Sequence, residues 1–265
     1  MTSNDRGVLT GRKAIVTGAG RGIGEAIAQQ FAAAGAEVVL AARSPGDLER
    51  VAAEIRAAGG IAHRVPTDMG DVGQVSALVE RGAGLMGGVD IVVSNAAAVC
   101  STPVLDTSLE EWNRVQQVNV VGTLTFFKAA YPHLTARPGG NALVISSIQG
   151  LAGTPVTGAY GASKAALNHL TKTLAVEWGP AGVRVNAILP GPVLTPLMRE
   201  SAAKNPRIGE RFENAAPLAG WTLSEDIAAP AVFLVSGAAR KINGHLLVVD
   251  GGLVAYNQDC FALRN

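Results

Sequence analysis

The chain has 265 residues, 48% of them hydrophobic, and its formal net charge is only +1. This size and hydrophobic content suit one sizeable α/β domain. The small net charge excludes a protein that binds nucleic acid or an anionic membrane surface mainly through its overall charge. No uncharged apolar run is long enough to span a membrane, and no signal peptide is recognisable. The two cysteines, Cys100 and Cys260, are too few for a disulfide framework. We therefore expect a cytoplasmic location.

Short apolar runs and helical patterns alternate along the chain. The first half predicts strands in KAIVTG, EVVLAA, IAHRVP and VDIVVSN, with helices over 22–34, 47–58 and 71–85. The second half predicts a long helix within 109–136, a helix over 159–178 and one over 224–237 capped by Ser224, with strands in NALVISS, GVRVNAILP and HLLVVDGG. This alternation predicts an α/β fold, a Rossmann-type doubly wound parallel sheet of about seven strands in a single three-layer α/β/α domain, 1–265.

The segment 194–220 departs from this pattern. It is polar and contains Pro196, Pro206 and Pro217. It also follows the C-terminal end of a strand, where open α/β sheets bind ligands. A mobile substrate lid is one interpretation, and a plain surface excursion is the other.

A glycine-rich turn joins the first predicted strand to the first helix. In IVTGAGRGIGEAIA the glycines let the backbone approach a pyrophosphate, and the helix that begins near Gly22 offers unpaired N–H groups and a positive dipole end. Three glycines directly after the first strand of an alternating chain indicate a dinucleotide site. Their spacing is TGxxxGxG, from Thr17 to Gly24, rather than the common GxGxxG.

A second motif lies on the helix predicted over 159–178. Tyr160 and Lys164 are four residues apart, so the ammonium can lie near the phenol. Taken alone, the pair could belong to a solvated face. Together with the glycine turn, it makes the sequence resemble the short-chain dehydrogenase/reductase family in its short single-domain form, similar to 3-oxoacyl-carrier-protein reductases, over nearly the whole chain.

The resemblance implies an NAD(P)(H)-dependent oxidoreductase that interconverts a ketone and a secondary alcohol by hydride transfer. Tyr160 would be the general acid/base, because the Lys164 ammonium would stabilise the phenolate and lower the phenol pKa. Lys164 would also bond the nicotinamide ribose. Ser147, 13 residues before the tyrosine, would hydrogen-bond the substrate oxygen, with Ser146 as the alternative that strand alternation points elsewhere. Asn119 would hold a water that links the lysine to solvent, or would be a satisfied core amide.

Matching the family's other motifs implies further cofactor contacts. Ala42 stands at the end of the second strand, where the family has an acidic residue that selects NAD. Because this carboxylate is missing and the guanidinium groups of Arg21 and Arg43 would suit a 2′-phosphate, the sequence favours NADP(H), with NAD(H) as the alternative. Asp68 would contact adenine or cap the next helix. The other cofactor-binding candidates are Gly18, Gly22, Ile23, Gly24, the Met69 backbone, Asn95, Ala96, Tyr160, Lys164, Pro190, Val193 and Thr195.

The SNAAA stretch departs from the family's Asn-Asn-Ala-Gly motif at two positions. Ser94 stands for the first Asn, and Ala97 stands for Gly. The second change adds a methyl group where the backbone passes close to the cofactor, which bears on the geometry of this loop.

The substrate is predicted to be a small-molecule carbonyl or alcohol, bound in a mostly apolar pocket with one amide. The substrate-binding candidates are Ser147, Gln149 and Tyr160, and the pocket would also be lined by Ala98, Val99, Pro155, Val156 and Pro192.

No metal is expected, because the four histidines are scattered. The resemblance implies a homo-oligomer, tetramer or dimer, that pairs the two long helices, and the tail 253–265 could fray or pack across such an interface.

Two other functions compete with this one. A non-catalytic dinucleotide-binding regulatory protein of the same fold would be expected to lack Tyr160 or Lys164, and both are present. An isomerase or dehydratase of this frame would usually carry a longer C-terminal substrate domain.

Overall fold

The computed structural model describes residues 7–256, without the side chains at positions 206 and 208. Cys260 and the part of the predicted tail beyond residue 256 lie outside the described residues. Within residues 7–256, no helix combines the length and the apolar composition needed to cross a membrane.

Seven parallel strands form one sheet in the order β3-β2-β1-β4-β5-β6-β7. The strands are β1 (Lys13–Thr17), β2 (Glu37–Ala42), β3 (Ile61–Pro66), β4 (Ile91–Ser94), β5 (Asn141–Ile145), β6 (Arg184–Pro190) and β7 (Leu246–Val249). The order reverses between β1 and β4, which confirms the predicted doubly wound sheet and places its switch point there.

The described residues form nine α-helices. They are α1 (Gly22–Ala33), α2 (Pro45–Ala57), α3 (Val72–Met86), α4 (Leu109–Gln116), α5 (Gly122–Thr135), α6 (Gly158–Trp178), α7 (Pro196–Lys204), α8 (Pro206–Glu213) and α9 (Ser224–Val235). Each of the helices predicted from apolar spacing is present, with ends that differ from the prediction by a few residues at most.

Alternate residues of each central strand face two separate cores. On β1, Ala14 and Val16 pack towards α1, α2 and α9, whereas Ile15 packs towards α3, α5 and α6. The same alternation separates Val38 from Val39 on β2. Because both faces are buried, the strands are continuous apolar runs, and each fully buried Val or Ile side chain contributes about 1.5–3 kcal/mol.

Two local expectations are corrected. The long helix predicted within 109–136 is divided by one π-helical turn, Gln117–Val121, which separates α4 from α5. The N-cap of α9 is Leu223 rather than Ser224, because the carboxylate of Asp226 accepts a hydrogen bond from the Leu223 N–H at 2.7 Å and thereby closes the first turn one residue earlier.

The predicted lid segment is mostly helical. It contains α7 and α8, and Thr195 caps α7 by accepting a hydrogen bond from the Met198 N–H at 3.3 Å. The segment is tied to the body at both ends, through Leu194 N–H to the Thr222 carbonyl at 2.9 Å and Leu218 N–H to the Gly251 carbonyl at 3.0 Å. The helices α7 and α8 therefore lie in one segment whose two ends are hydrogen-bonded to the rest of the fold.

Candidate active site

A cleft of about 1020 Å³ opens at the carboxyl ends of the strands, beside the switch point between β1 and β4. The glycine turn, the loops after β2 to β6 and the start of α6 form its walls. Every predicted cofactor-binding residue except Gly24 lines it: Gly18, Arg21, Gly22, Ile23, Arg43, Asp68, Met69, Asn95, Ala96, Tyr160, Lys164, Pro190, Val193 and Thr195. Parallel strands bring these distant positions together because their carboxyl ends share one edge.

The glycine turn has a backbone that side chains would disfavour. Gly18 and Gly22 have φ of 66° and 62°, in the left-handed region. Gly24 is buried against Gly18, and a Cβ on Gly24 would collide with the Gly18 carbonyl. Gly24 therefore serves close packing of α1 on the turn rather than contact with a ligand in the cleft.

The N-terminus of α1 suits an anion. Its N-cap, Arg21, makes no side-chain cap hydrogen bond, so the first N–H groups of the helix have no capping partner. An uncapped helix start beside two left-handed glycines fits the pyrophosphate of a dinucleotide. Arg21 and Arg43 are both exposed and both line this cleft.

The loop after β4 is fastened to the glycine turn by Asn95. Its amide donates to the carbonyls of Thr17 at 2.9 Å and Gly18 at 3.3 Å, and the Thr17 hydroxyl accepts from the Asn95 and Ala96 N–H groups. Ala97 is exposed beside them, with an ordinary backbone, because Val156 is the only non-glycine residue among those described with positive φ. The methyl group of Ala97 is thus accommodated on the cleft wall.

At the end of the cleft formed by the loop after β3, Asp68 does not cap a helix. Asp71 caps α3 by accepting hydrogen bonds from the Gly73 and Gln74 N–H groups, whereas Asp68 accepts one from the Gly70 N–H at 2.9 Å. The alternative interpretation of Asp68 as a helix cap is therefore wrong. Contact with adenine stays a prediction.

Ser147, Tyr160 and Lys164 meet on the wall of the cleft. Ser147 follows β5 directly, and its hydroxyl accepts a hydrogen bond from the Gln149 N–H at 3.1 Å. Lys164 is 2% exposed; its Nζ donates to the Ile145 carbonyl at 2.8 Å and lies 5.4 Å from the centre of the Tyr160 ring. The carboxyl end of β5 and the first turns of α6 thus hold all three groups.

The two titratable groups are shifted by burial. Burial raises the pKa of Tyr160 to about 12, against a smaller opposing effect of a hydrogen bond with the Ser147 side chain. Burial lowers the pKa of Lys164 to about 8. The phenol pKa is therefore raised where a lowering was expected, because the desolvation of the phenolate outweighs the effects that favour it.

Asn119 lies in the π-helical turn and is 1% exposed. Its amide oxygen accepts from the Ala98 N–H at 2.7 Å, and its amide nitrogen donates to the Ala98 carbonyl and to the Ser163 hydroxyl, at 3.0 and 2.9 Å. The side chain is a satisfied amide that joins the loop after β4 to α6, and it does not line the cleft. Its role in holding water stays a prediction.

Ser146 engages α6 instead of a substrate. Its hydroxyl is 2.6 Å from the Asn168 amide oxygen and 3.2 Å from the Lys164 carbonyl. The hydroxyl of Ser147, by contrast, is within hydrogen-bonding reach of Tyr160.

Only some of the predicted substrate-pocket residues line this cleft. Ala98 and Val99 line the cleft, but Gln149, Pro155, Val156 and Pro192 are not among its lining residues. Gln149 lies on a 3₁₀ turn directly after Ser147, with a buried amide oxygen that has no partner among the described residues. Its contact with substrate stays a prediction.

The cleft also contains residues that the sequence analysis missed. These are Asp47, Gln74, Arg114, Gln117, Leu197 and Met198, among others. Asp47 had a usable signal, since it stands in the first turn of a helix that begins just after the β2 strand end. Arg114 had none, because its placement depends on its hydrogen bond to the Val99 carbonyl at 3.2 Å across the loop after β4.

The family model described as enoyl-(acyl carrier protein) reductase matches residues 18–254. A 3beta-hydroxysteroid dehydrogenase 1 from Eggerthella lenta is 38% identical over 250 residues, covering 94% of this chain and 95% of the relative. The chain belongs to the short-chain dehydrogenase/reductase family. Gluconate 5-dehydrogenase from Gluconobacter oxydans is another relative, 32% identical over 96% of this chain and 98% of its own length.

Solved structures of this family share the fold closely. A short chain dehydrogenase from Burkholderia cenocepacia in complex with NADP has a TM-score of 0.86 at 33% identity, covering 93% of this chain and 99% of that one. A short-chain type dehydrogenase/reductase from Mycobacterium marinum has a TM-score of 0.87 at 35% identity, covering 94% and 97%. This short-chain dehydrogenase/reductase is an NAD(P)-dependent oxidoreductase, and its relatives offer no support for the non-catalytic alternative.

Proposed function

We propose that this protein interconverts a ketone and a secondary alcohol, with NADP(H) preferred over NAD(H) and with Tyr160 as the general acid/base. The observation that carries the proposal is the meeting of Ser147, Tyr160 and Lys164 in the same cleft as an uncapped, glycine-rich helix start. A nicotinamide dinucleotide bound there supplies or accepts the hydride.

The protonation states support reduction of a carbonyl at neutral pH. Because burial raises the pKa of Tyr160 to about 12, the phenol holds its proton and can donate it to a carbonyl oxygen. The Ser147 oxygen accepts from the Gln149 N–H, so its proton, which faces Tyr160, can turn to the same substrate oxygen when a carbonyl is bound. Lys164, with a pKa of about 8, remains an ammonium and stabilises the phenolate that forms.

The preference for NADP(H) is supported by charge. The exposed guanidinium groups of Arg21 and Arg43 line the cleft, and Ala42 stands where the family places the acid that selects NAD. The Burkholderia relative solved with NADP is consistent with this choice.

The substrate end of the cleft is proposed to lie under α7 and α8, which would act as a lid. Leu197 and Met198 of α7 line the cleft, as does Val99. Leu197 and Val99 are exposed by 55% and 45%, so an apolar substrate would cover them. A relative named as a hydroxysteroid dehydrogenase supports a bulky apolar ketone or alcohol.

A homo-oligomer that pairs α5 and α6, and a cytoplasmic location, also remain proposals. Ala162, Ala165 and Ala166 on α6 are exposed small residues that would allow a second helix to approach closely. Sedimentation of the purified protein tests the assembly directly.

Replacing Tyr160 by Phe tests the proposed function. The variant is expected to lose about 10²- to 10⁴-fold in kcat, the contribution typical of general acid/base catalysis, while its Kd for NADP⁺ changes less than about twofold. A panel of ketones and alcohols is assayed with both nicotinamides. Tyr131→Phe is the matched control, because Tyr131 packs against Trp178, with ring centres 4.8 Å apart, away from the cleft.

Retention of kcat in the Tyr160→Phe variant contradicts the assigned role of the phenol. A wild-type protein that binds NADPH but oxidises it with no member of the panel would instead favour the non-catalytic alternative.

A further inference from the structure

The first turn of α2 carries a carboxylate to the end of β2. Asp47 lines the same cleft as Arg43. A methyl group built on Gly20 of the glycine turn would lie 3.0 Å from the Asp47 Cβ, 3.8 Å from its Oδ2 and 3.6 Å from the Ala42 Cβ. Asp47 therefore stands close to Ala42, where the family's NAD-selecting acid is missing.

This carboxylate is available to a ligand. The Ser44 hydroxyl accepts a hydrogen bond from the Asp47 N–H at 3.3 Å and holds its backbone in the first helical turn. The side chain is exposed, and within residues 7–256 the carboxylate takes part in no hydrogen bond or ion pair. Glu49, two residues further along α2, is instead paired with Arg56 at 2.8 Å and with Arg64 at 2.7 Å.

We infer that Asp47 supplies, from the neighbouring helix, the carboxylate that the end of β2 lacks, and that it opposes Arg43 in cofactor selection. Its negative charge repels the 2′-phosphate of NADP(H), and it accepts a hydrogen bond from the 2′-hydroxyl of NAD(H). The preference for NADP(H) is consequently smaller than two guanidinium groups alone would produce. This inference rests on the NADP(H) site proposed above.

The size of the effect follows from the charges. A carboxylate and a phosphate that carries about −1.5 to −2 charges, several ångströms apart in a solvated cleft, repel each other enough to change a Kd about tenfold. Salt screens exposed charges, so the effect decreases as ionic strength rises.

Calorimetric titration of the ligand-free protein with 2′,5′-ADP and with 5′-AMP tests the inference without turnover. Asp47→Asn is expected to bind 2′,5′-ADP about tenfold more tightly at low salt, with a smaller gain at high salt, and to bind 5′-AMP no more tightly than wild type. Asp47→Ser is a second variant with the same charge change. Glu49→Gln is the matched control, because it removes one negative charge from the same helix outside the cleft.

Equal affinities in Asp47→Asn, Asp47→Ser and Glu49→Gln would overturn the inference, as would an equal gain for both nucleotides. Arg43→Gln separates this failure from failure of the proposed function. If Arg43→Gln leaves the affinity for 2′,5′-ADP unchanged, the NADP(H) site itself is wrongly placed. If Arg43→Gln weakens 2′,5′-ADP while the Asp47 variants match the control, only the role of Asp47 is refuted.

Discussion

Lys164 is a charged residue that the folded protein holds at a cost. It is 2% exposed, and burial lowers its pKa from 10.5 to about 8. A shift of this size corresponds to about 3 kcal/mol spent on keeping the ammonium charged at neutral pH, against a gain of about 1 kcal/mol from its hydrogen bond to the Ile145 carbonyl. A costly buried charge beside a phenol in a cleft is typical of a catalytic site.

Lys164→Met is therefore expected to stabilise the fold by about 1–2 kcal/mol at pH 7 while turnover is lost, since an apolar chain of similar length replaces the ammonium. Between pH 8 and 10 the folded wild type has released this proton and the unfolded chain has not, so the free energy of unfolding of the wild type rises with pH. The variant lacks that rise. Urea unfolding at several pH values measures both effects.

Lys172→Met on the exposed side of α6 is the control, and it is expected to keep the wild-type pH dependence. Parallel stability curves for wild type and Lys164→Met between pH 8 and 10 would show that the lysine is not desolvated as the structure indicates.

At the scale of elements, α2 supports the glycine turn from outside. Arg50 donates to the Gly20 carbonyl at 3.1 Å and forms a two-point contact with Glu25 of α1, at 2.7 and 2.9 Å. It also reaches Glu54 at 2.9 Å, and these carboxylates raise its pKa. One guanidinium thus joins α1, α2 and the turn between β1 and α1.

Arg50→Gln is expected to raise the Kd for NADP⁺ about three- to tenfold while kcat changes less than about twofold, because the turn loses the contact that holds it before the nucleotide binds. Fluorescence titration and steady-state kinetics measure the two quantities. Arg56→Gln is the matched control, since Arg56 bonds the Ala52 carbonyl and Glu49 on its own helix. The idea fails if both variants change nucleotide affinity equally.

Across the whole molecule, the two edges of the sheet formed by the carboxyl and the amino ends of its strands have different roles. The carboxyl edge forms the cleft, with helix N-termini around it. The opposite edge is where α3, α5 and α9 end, and cations there donate to the carbonyls that follow these helices. Lys13 and Arg137 both donate to Gly87 after α3, and Arg184 donates to Ser236 after α9. This edge therefore serves stability.

Arg184→Met is expected to lower the free energy of unfolding by about 1–3 kcal/mol, because the two hydrogen bonds from the guanidinium are lost, although the Ser236 and Ile242 carbonyls keep the Ala239 N–H and the Asn186 amide as donors. The KM for NADPH should stay within about twofold, since the side chain lies at the edge opposite the cleft. Urea unfolding and kinetics are measured beside Arg240→Met, an exposed control expected to change stability by less than about 0.5 kcal/mol. A changed KM with unchanged stability would contradict this division between the edges.

Much of the fold could be predicted because its signals are local. The strands are buried on both faces, so they appear as apolar runs such as EVVLAA, and β2 (Glu37–Ala42) coincides with that run. The π-helical turn at Gln117–Val121 could not be predicted, since it depends on Asn119 bonding Ala98 and Ser163 from other parts of the fold. The N-cap of α9 was missed because the Asp226 side chain closes the turn at Leu223.

The sequence by itself determined the alternating α/β architecture, the glycine turn, and the spacing of Tyr160 and Lys164, because periodicity and motif spacing act over a few residues. Only the tertiary structure decided which charges meet. The Lys164 ammonium is held by the Ile145 carbonyl, and Arg50 of α2 is paired with Glu25 of α1. Such contacts join segments that are separate in the chain, and their energies depend on burial, which exists only once the sheet and its helices have packed.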